Sequence, residues 1–500
     1  MRVLIVYPNM GLEMTLNHGI TAISSVLKQA GHEVNLLHLP NYHEQRAVAA
    51  VERHAPDVIA FSLTENHRYQ MESLIAAIRR RGIKVPIFAG GPFPSAYREW
   101  LNECDGLDGI CYGEGELPFL AVVNGLAANT NYTGTLGWWF RGDGRIIQNE
   151  PHPLPDDLNG LPLPDIDIFD KQTILNYPAF SFSRGCPFKC TYCCAPLYGQ
   201  RETGSTAVRY KSPERAIEEI QDMLSRHNAP VLAFDDDTFF KSKGWVKKFV
   251  ELYKKEINRP FACNTRPETV NEELIKILKD ANCVLIAMGI ESGDEDLRAQ
   301  VLMRRMTDDR IVQAFDIIKK YGIKTASFNM VGIPGETRER FQRTIDLNRR
   351  IKPELIQQTI FYPYHGTALG DMAYKNNYLV RKGYPNYFGR GTLNLPGFSL
   401  KQIEREAMFF EFNVYRTFDK WRAARGLAQS AAKRYPTAYR GIKKGLTAVG
   451  LWHSGGWNKK KDGISVMGSD SSVASTRPTS GAGTEISESV SNGIGHSAGS

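Results

Sequence analysis

The sequence predicts an α/β protein in which a doubly wound parallel sheet is followed by a partial (β/α)6 barrel. Three observations predict this fold. Short apolar runs alternate with helical periods through residues 1–150 and again through 176–395. A linker rich in Pro and Asp, at 151–175, separates the two series. A helical region at 396–455 and a disordered tail at 456–500, rich in Ser and Gly, complete the chain.

The N-terminal domain is expected to be a parallel sheet with helices on both faces. Its apolar strands are "RVLIVYP", "EVNLLHL", "PDVIAFSLT" and "VPIFAGGP", and amphipathic helices such as "HGITAISSVLKQAGH" lie between them. Ligands of such sheets bind at the carboxyl ends of the strands. Gly90 and Gly91 end one strand and would let a ligand approach the backbone closely. The alternative is that these segments are ordinary turns between strands and helices.

Six further strands predict the barrel. They are "AFSFSRG", "VLAFDDDTF", "FACNTRP", "VLIAMGIES", "TASFNMVGIPGET" and "LIQQTIFYPYHGT", each ending in polar, Gly or Pro residues. Chemistry in such barrels lies at the carboxyl ends of the strands. A loop rich in cysteine follows the first of these strands, which places the loop at that edge.

Composition indicates a reducing, cytoplasmic location. The chain is 42% hydrophobic and 23% charged, with a net charge of +8. Four of its 8 cysteines fall within nine residues, unlike the dispersed cysteines of a secreted disulfide framework. The N-terminus lacks the pattern of a signal peptide, and no apolar run has the roughly 20 residues of a membrane helix.

Cys186, Cys190 and Cys193 form the pattern C-x3-C-x2-C, with Cys194 directly beside the third. Three thiolates in one tight loop can hold three corners of a four-iron cluster, which normally takes four. Cys194 is too close to Cys193 to reach the fourth corner, so the fourth iron would be open to a substrate or cofactor. The alternative is a zinc site completed by a distant His or Cys.

With these motifs, residues 176–370 resemble the radical S-adenosylmethionine (SAM) enzymes. The resemblance implies that Cys186, Cys190 and Cys193 bind a [4Fe–4S] cluster whose open iron chelates SAM. Reduction by a donor such as flavodoxin or ferredoxin would then cleave SAM to a 5′-deoxyadenosyl radical. "FYPYHGT" resembles a PYPGT segment, with His365 where proline is usual, and no role follows for this histidine. The resemblance also assigns SAM contacts to Tyr192, Asp235, Asp237, Glu291, Ser292, Gly332 and Gly335.

The N-terminal domain resembles the Rossmann-like cobalamin-binding domain that precedes the barrel in one radical SAM subclass. Its landmarks are Ser62 in "FSLTENH", Gly90 and Gly91 in "AGGPFPS", and Glu114 in "YGEGE". The D-x-H-x-x-G motif that ligates cobalt in mutase-type proteins is absent, and His18 does not sit in one. The resemblance therefore implies cobalamin without that histidine ligand, as suits a methyl carrier.

Together the cofactors imply methylation of an unactivated carbon in a small-molecule, lipid or pigment substrate. An oxidative cyclase or rearrangement enzyme with the same layout is the alternative, and a noncatalytic iron–sulfur or zinc protein is a third reading. A methylthiotransferase is disfavoured because the N-terminal domain lacks a second set of three cysteines.

The C-terminal region is basic and aromatic between residues 416 and 444. A solvated helical cap is the simpler interpretation. A peripheral contact with anionic lipid is the more specific one. Nucleic acid is not expected as a partner.

Overall fold

Two parallel sheets dominate the structure, as the alternating pattern predicts. The computed structural model describes residues 1–10, 15–197, 207–240, 242–381 and 390–434, and all of them belong to one folded unit. The predicted fold class, a doubly wound domain followed by a partial barrel, is confirmed.

The first sheet has the strand order β2-β1-β3-β4-β5-β6-β7. The chain order reverses beside β1, so the sheet has a switch point between β1 and β3, where α/β sheets bind ligands. Its strands are β1 (Arg2–Pro8), β2 (Glu33–Leu39), β3 (Val58–Ser62), β4 (Ile87–Gly90), β5 (Gly109–Cys111), β6 (Trp138–Arg141) and β7 (Ile146–Gln148). Its helices are α1 (His18–Gln29), α2 (Glu44–His54), α3 (Arg68–Arg80), α4 (Pro92–Ala96), α5 (Trp100–Glu103) and α6 (Glu116–Ala127), with a 3-10 turn at Glu65–His67.

One edge of this sheet differs from the parallel arrangement that the sequence predicts. β6 pairs antiparallel with β5, and β7 pairs antiparallel with β6. A short turn containing Gly142 and Gly144 joins these strands, and Gly144 has a φ of 76° that suits a tight hairpin. The Trp138 and Phe140 rings stack with centroids 5.2 Å apart. The hairpin therefore closes the sheet with an aromatic edge, which the strand–helix alternation did not reveal.

The second sheet has the order β15-β14-β13-β12-β11-β8, and all its pairs are parallel. It is the open six-stranded barrel that the sequence predicts. Its strands are β8 (Ala179–Phe180), β11 (Leu232–Phe234), β12 (Phe261–Thr265), β13 (Cys283–Glu291), β14 (Lys324–Val331) and β15 (Leu355–Ile360), while β9 (Ser183–Arg184) and β10 (Arg209–Tyr210) form a separate ladder. The helices are α7 (Lys171–Asn176), α8 (Pro213–Arg226), α9 (Lys243–Glu256), α10 (Glu272–Asp280), α11 (Asp308–Lys320), α12 (Arg338–Ile351), α13 (Ala368–Lys375), α14 (Leu400–Tyr415) and α15 (Lys420–Arg434).

Local sequence explains where the barrel helices begin. A Ser, Thr or Asn side chain caps most of them by accepting a backbone N–H of the first turn, which satisfies one of the otherwise unpaired donors. The capping residues are Ser212, Ser242, Asn271, Thr307, Thr337, Thr367 and Ser399.

The C-terminal region is helical as far as it is described. α14 packs on the barrel, where the Phe410 and Phe341 rings lie 5.5 Å apart. Trp421, in the basic segment, is 89% exposed. The predictions for 435–455 and for the tail at 456–500 lie outside the described residues. Among the described helices, none is both long and apolar enough to cross a membrane.

Close packing between β13 and α12 requires glycine at position 293. A Cβ on Gly293 would lie 2.3 Å from the Arg343 carbonyl oxygen and 2.5 Å from Thr344 Cα. The Gly293 N–H also donates to Thr344 Oγ1 at 2.8 Å. Backbone atoms of a packed helix cannot move aside cheaply, so this glycine fixes the carboxyl end of β13 against α12.

Gly293→Ala is therefore expected to destabilise the protein by about 1–3 kcal/mol, the usual cost of overpacking. Gly244→Ala is the control, because a Cβ at Gly244, in α9, meets no atom within 4 Å. Urea unfolding midpoints should fall for Gly293→Ala and stay level or rise for Gly244→Ala. Equal midpoints for the two variants would show that the contact is not tight.

Candidate active site between the two sheets

The carboxyl edges of the two sheets face each other across a cavity of about 560 Å³. Loops after β1, β3, β4 and β5 form one wall, and β8, the start of the cysteine loop and the end of β11 form the other. The predicted residues Ser62, Gly90, Gly91, Glu114, Asp235 and Asp237 all line this cavity.

Partly buried ion pairs join the two walls. Arg184, in β9, donates to Glu114 at 2.8 Å and to Glu116 at 2.6 Å. Arg209, in β10, also pairs with Glu114. The structure thus gives Glu114 two guanidinium partners from the barrel half, and its contact with a cofactor stays a prediction.

A glycine at position 91 shapes the first wall. Gly91 has a φ of 94°, which side-chain-bearing residues rarely adopt. A Cβ there would lie 3.1 Å from both the N and the O of Leu63. The loops after β3 and β4 can therefore lie in close contact. Because Gly91 has no side chain, its backbone atoms face the cavity directly.

The cysteine loop is held by backbone contacts. Gly185 has a φ of 93° directly before Cys186. The Cys193 N–H donates to the Cys190 carbonyl at 3.2 Å, and the Thr191 hydroxyl donates to the Val301 carbonyl at 2.6 Å. The three predicted thiols thus lie in one compact loop at the carboxyl edge.

Burial raises the pKa of the Cys186 and Cys193 thiols, and the nearby Asp237 carboxylate adds to the rise. Iron binding at these sulfurs must therefore displace protons. Among the described residues, no three His, Cys, Asp or Glu side chains are placed to hold a single metal ion. The ligands of a four-iron cluster bind different irons, so they surround a volume instead of meeting at one point. Three thiols of one loop fit that requirement.

Two buried arginines point at the sulfur of Cys190. Arg266 Nη1 lies 3.1 Å from Cys190 Sγ, and its guanidinium stacks 3.7 Å from the Phe188 ring centroid. Arg304 Nη1 lies 3.9 Å from the same sulfur. Neither arginine was predicted as a site residue from the sequence. The position of Arg266 could have indicated it, because this residue lies at the carboxyl end of the predicted strand "FACNTRP".

Tyr192 and Glu291 meet beside Arg304. The Tyr192 oxygen accepts from Arg304 Nη1 at 3.2 Å, and its hydroxyl hydrogen-bonds Glu291. Burial raises the pKa of Glu291, while the Arg304 charge opposes that rise. Ser292 is fully buried and its hydroxyl accepts the Asp294 N–H at 3.1 Å, so its predicted SAM contact stays a prediction.

The three consecutive aspartates have different surroundings. Asp235 accepts from the Tyr177 hydroxyl and lies 3.7 Å from His18 Nε2. Asp236 is buried and accepts the Phe182 N–H at 3.0 Å, and burial raises its pKa to about 6. Asp235 and Asp237 face the cavity, and their contact with SAM stays a prediction. None of the three caps the helix that follows, because the Ser242 side chain caps α9.

The predicted glycine motif forms a tight turn after β14. Gly332 and Gly335 have φ values of 82° and 87°. The Glu336 carboxyl group accepts the Gly332 N–H at 2.7 Å, and burial raises its pKa to about 8. Glu336 thus holds the turn in place from inside the fold.

Known families match both halves of the chain. The model of the radical SAM superfamily matches residues 180–347, and that of the B12 binding domain matches residues 14–123. The cysteine loop lies inside the first match, and Ser62, Gly90 and Gly91 lie inside the second.

Individual proteins match more than half of the chain. An uncharacterized methyltransferase, PH0819, of Pyrococcus horikoshii is 27% identical over 363 residues, covering 71% of this chain and 78% of that protein. The anaerobic magnesium-protoporphyrin IX monomethyl ester cyclase of Rubrivivax gelatinosus is 22% identical over 325 residues, covering 62% and 57% respectively.

Among solved structures, the radical SAM methyltransferase TsrM of Kitasatospora setae, with cobalamin and a [4Fe–4S] cluster bound, superposes with a TM-score of 0.65. It is 14% identical, and the match covers 83% of this chain and 89% of TsrM, so the two share a fold. The thiol loop, the glycine-walled cavity and both family matches agree: the chain carries a radical SAM domain preceded by a B12 binding domain, and its cofactors are a [4Fe–4S] cluster, SAM and cobalamin.

Proposed function

We propose that the enzyme methylates an unactivated carbon of a small-molecule or lipid-like substrate. The observation that carries this proposal is the single cavity bounded by the cobalamin-type strand ends on one side and by the cysteine-loop edge of the barrel on the other. Methyl transfer needs both cofactors within reach of one substrate. The relative PH0819, an uncharacterized methyltransferase at 27% identity, supports the same proposal.

When bound, the cluster supplies the electron that cleaves SAM, and cobalamin carries the methyl group. Cys186, Cys190 and Cys193 would hold the cluster. Ser62, Gly90 and Gly91 would lie against the cobalamin. The pairs between Arg184 and the carboxylates of Glu114 and Glu116 close one side of the cavity and keep the two walls together. A closed site of this kind excludes water from a reactive radical.

Arg266 and Arg304 would influence the reduction potential of the cluster. Both guanidinium groups donate toward Cys190 Sγ from buried positions. Hydrogen bonds and positive charge near cluster sulfurs favour the reduced, more negative state. The two arginines are therefore expected to raise the reduction potential of the cluster and ease its reduction.

An oxidative cyclase is the second candidate, since the magnesium-protoporphyrin ester cyclase shares the layout at 22% identity. The two reactions differ in their SAM products. A methyltransferase consumes a second SAM as methyl donor and releases S-adenosylhomocysteine, whereas radical chemistry alone yields 5′-deoxyadenosine.

The electron donor and any membrane contact are inferred from the sequence alone. A flavodoxin or ferredoxin is the expected donor. The exposed Trp421 and the basic residues around it in α15 would suit an anionic lipid surface.

Cys190→Ala is expected to abolish SAM cleavage, while Cys194→Ala keeps most of it. Cys194 directly follows Cys193 in the chain, so it cannot reach the fourth corner of the cluster without distorting the loop. Iron content and 5′-deoxyadenosine yield after anaerobic reconstitution are the measurements. Equal losses in both variants would mean that the ligand set is wrong.

Arg266→Gln should make the cluster potential more negative, on the order of 50 mV, because one charge-assisted hydrogen bond to a ligand sulfur is lost. Arg259→Gln is a matched control, since Arg259 precedes strand β12 at its amino end whereas Arg266 follows it at the carboxyl end. Redox titration followed by electron paramagnetic resonance measures the cluster potential in both variants. A similar shift in the control would show a long-range charge effect instead of a hydrogen bond.

The reaction type is tested with protein reconstituted anaerobically, supplied with hydroxocobalamin, and mixed with reductant and SAM. We expect near-stoichiometric cobalt, together with both 5′-deoxyadenosine and S-adenosylhomocysteine. 5′-Deoxyadenosine without S-adenosylhomocysteine would favour the cyclase reading. Absence of both products would overturn the assignment of an enzyme.

A further inference from the structure

Glu65, His365 and Tyr374 meet where the two halves of the protein touch, and we call them the interdomain clamp. Glu65 lies in the 3-10 turn after β3 and is 3% exposed. Its carboxylate accepts the His365 backbone N–H at 2.8 Å, the His365 ring Nδ1–H, and the Tyr374 hydroxyl at 2.9 Å. A buried carboxylate from one half is thus satisfied by three donors from the other.

The histidine ring is also held between aromatic side chains of the two halves. Tyr97, beside α4 of the first half, stacks on it with ring centroids 4.4 Å apart. Tyr374, in α13 of the barrel half, stacks on it at 4.2 Å. Proline has no N–H, so a proline at this position could supply neither the backbone donor nor the imidazole. Histidine at 365 therefore makes a contact that proline cannot make.

The clamp is connected to the cysteine loop through α13. The Leu369 N–H, in the first turn of this helix, donates to the Thr191 carbonyl at 3.0 Å, between Cys190 and Tyr192. Tyr374 lies little more than one turn further along the same helix. The Tyr374 hydroxyl, whose pKa is raised by burial and then by Glu65, stays protonated as a donor. A displacement of the first sheet would thus be transmitted through Glu65 and α13 to the loop that holds the cluster.

We propose that the interdomain clamp sets the position of the cobalamin-binding edge relative to the cysteine loop, so that methyl transfer depends on it more than SAM cleavage does. The proposal rests on the proposed function, methyl transfer, and names positioning residues for it. Cleavage of SAM needs only groups on the barrel edge. Methyl transfer also needs the cobalamin-binding edge to be correctly placed relative to the barrel edge. Small misplacements of reacting groups are costly, since about 1 Å can reduce a rate on the order of 100-fold.

Tyr374→Phe is the first test, because it removes one hydroxyl and keeps the stacked ring. Tyr321→Phe is the matched control: the Tyr321 hydroxyl donates to Glu272 at 3.1 Å within the barrel half, at the exposed surface. In the reconstituted enzyme, the ratio of S-adenosylhomocysteine to 5′-deoxyadenosine should fall about fivefold in Tyr374→Phe, the effect of roughly one hydrogen bond. The control should keep the wild-type ratio.

Glu65→Gln is the second variant that tests the clamp. Since Tyr374 acts through Glu65, adding Tyr374→Phe to Glu65→Gln should lower the ratio little further. Hydrogen exchange of the holoenzyme gives a readout that does not depend on turnover. The peptide containing Cys186 to Cys194 should exchange about three- to tenfold faster in both single variants and stay unchanged in Tyr321→Phe.

The outcomes separate the two proposals. A wild-type enzyme that forms no S-adenosylhomocysteine would overturn methyl transfer, and with it the clamp's role in that reaction, while exchange would still report whether the clamp holds the loop. Wild-type S-adenosylhomocysteine with an unchanged product ratio in Tyr374→Phe would overturn the clamp alone. Unchanged exchange in both single variants would likewise show that the clamp does not restrain the cysteine loop.

Discussion

The structure depends on one constraint: the carboxyl edges of two parallel sheets must face each other across a single cavity. Partly buried ion pairs hold them there, chiefly those of Arg184 with Glu114 and Glu116. Taking such charges out of water is costly unless each is paired and hydrogen-bonded, so these partners must stay together once the halves have joined. The relative placement of the two cofactor sites follows from this pairing and from the Glu65 contacts.

Positive charge concentrates around one sulfur of the cysteine loop. Arg266 and Arg304 are both nearly fully buried, and both approach Cys190. Glu268, Glu291 and the Tyr192 oxygen balance them from other sides. A cluster carrying negative charge fits such surroundings, because both guanidinium groups donate toward the sulfur of Cys190. The same groups that stabilise the fold here also set the electrostatics of the electron-accepting site.

Much of the site was predictable because chemistry in parallel α/β folds collects at strand ends. Cys186, Asp235 and Gly332 could be placed at one edge from strand patterns alone. Arg184, Arg304 and Glu65 could not. Each makes its contact with a residue 68 or more positions away in the chain, as Glu65 does with His365 across 300 positions. The hairpin of β6 and β7 was missed for a simpler reason, since its glycine turn was not recognised.

The sequence by itself determined the two series of strands and helices and the three-thiol motif, because periodicity and local spacing carry that information, while the resemblance to known families implied the cofactor of each domain. Only the tertiary structure decided which aspartates face the cavity, which arginines reach Cys190, and what His365 does. Those outcomes depend on how the two halves pack against each other. Within its own half, His365 stacks on Tyr374, whereas its carboxylate partner, Glu65, comes only from the other half.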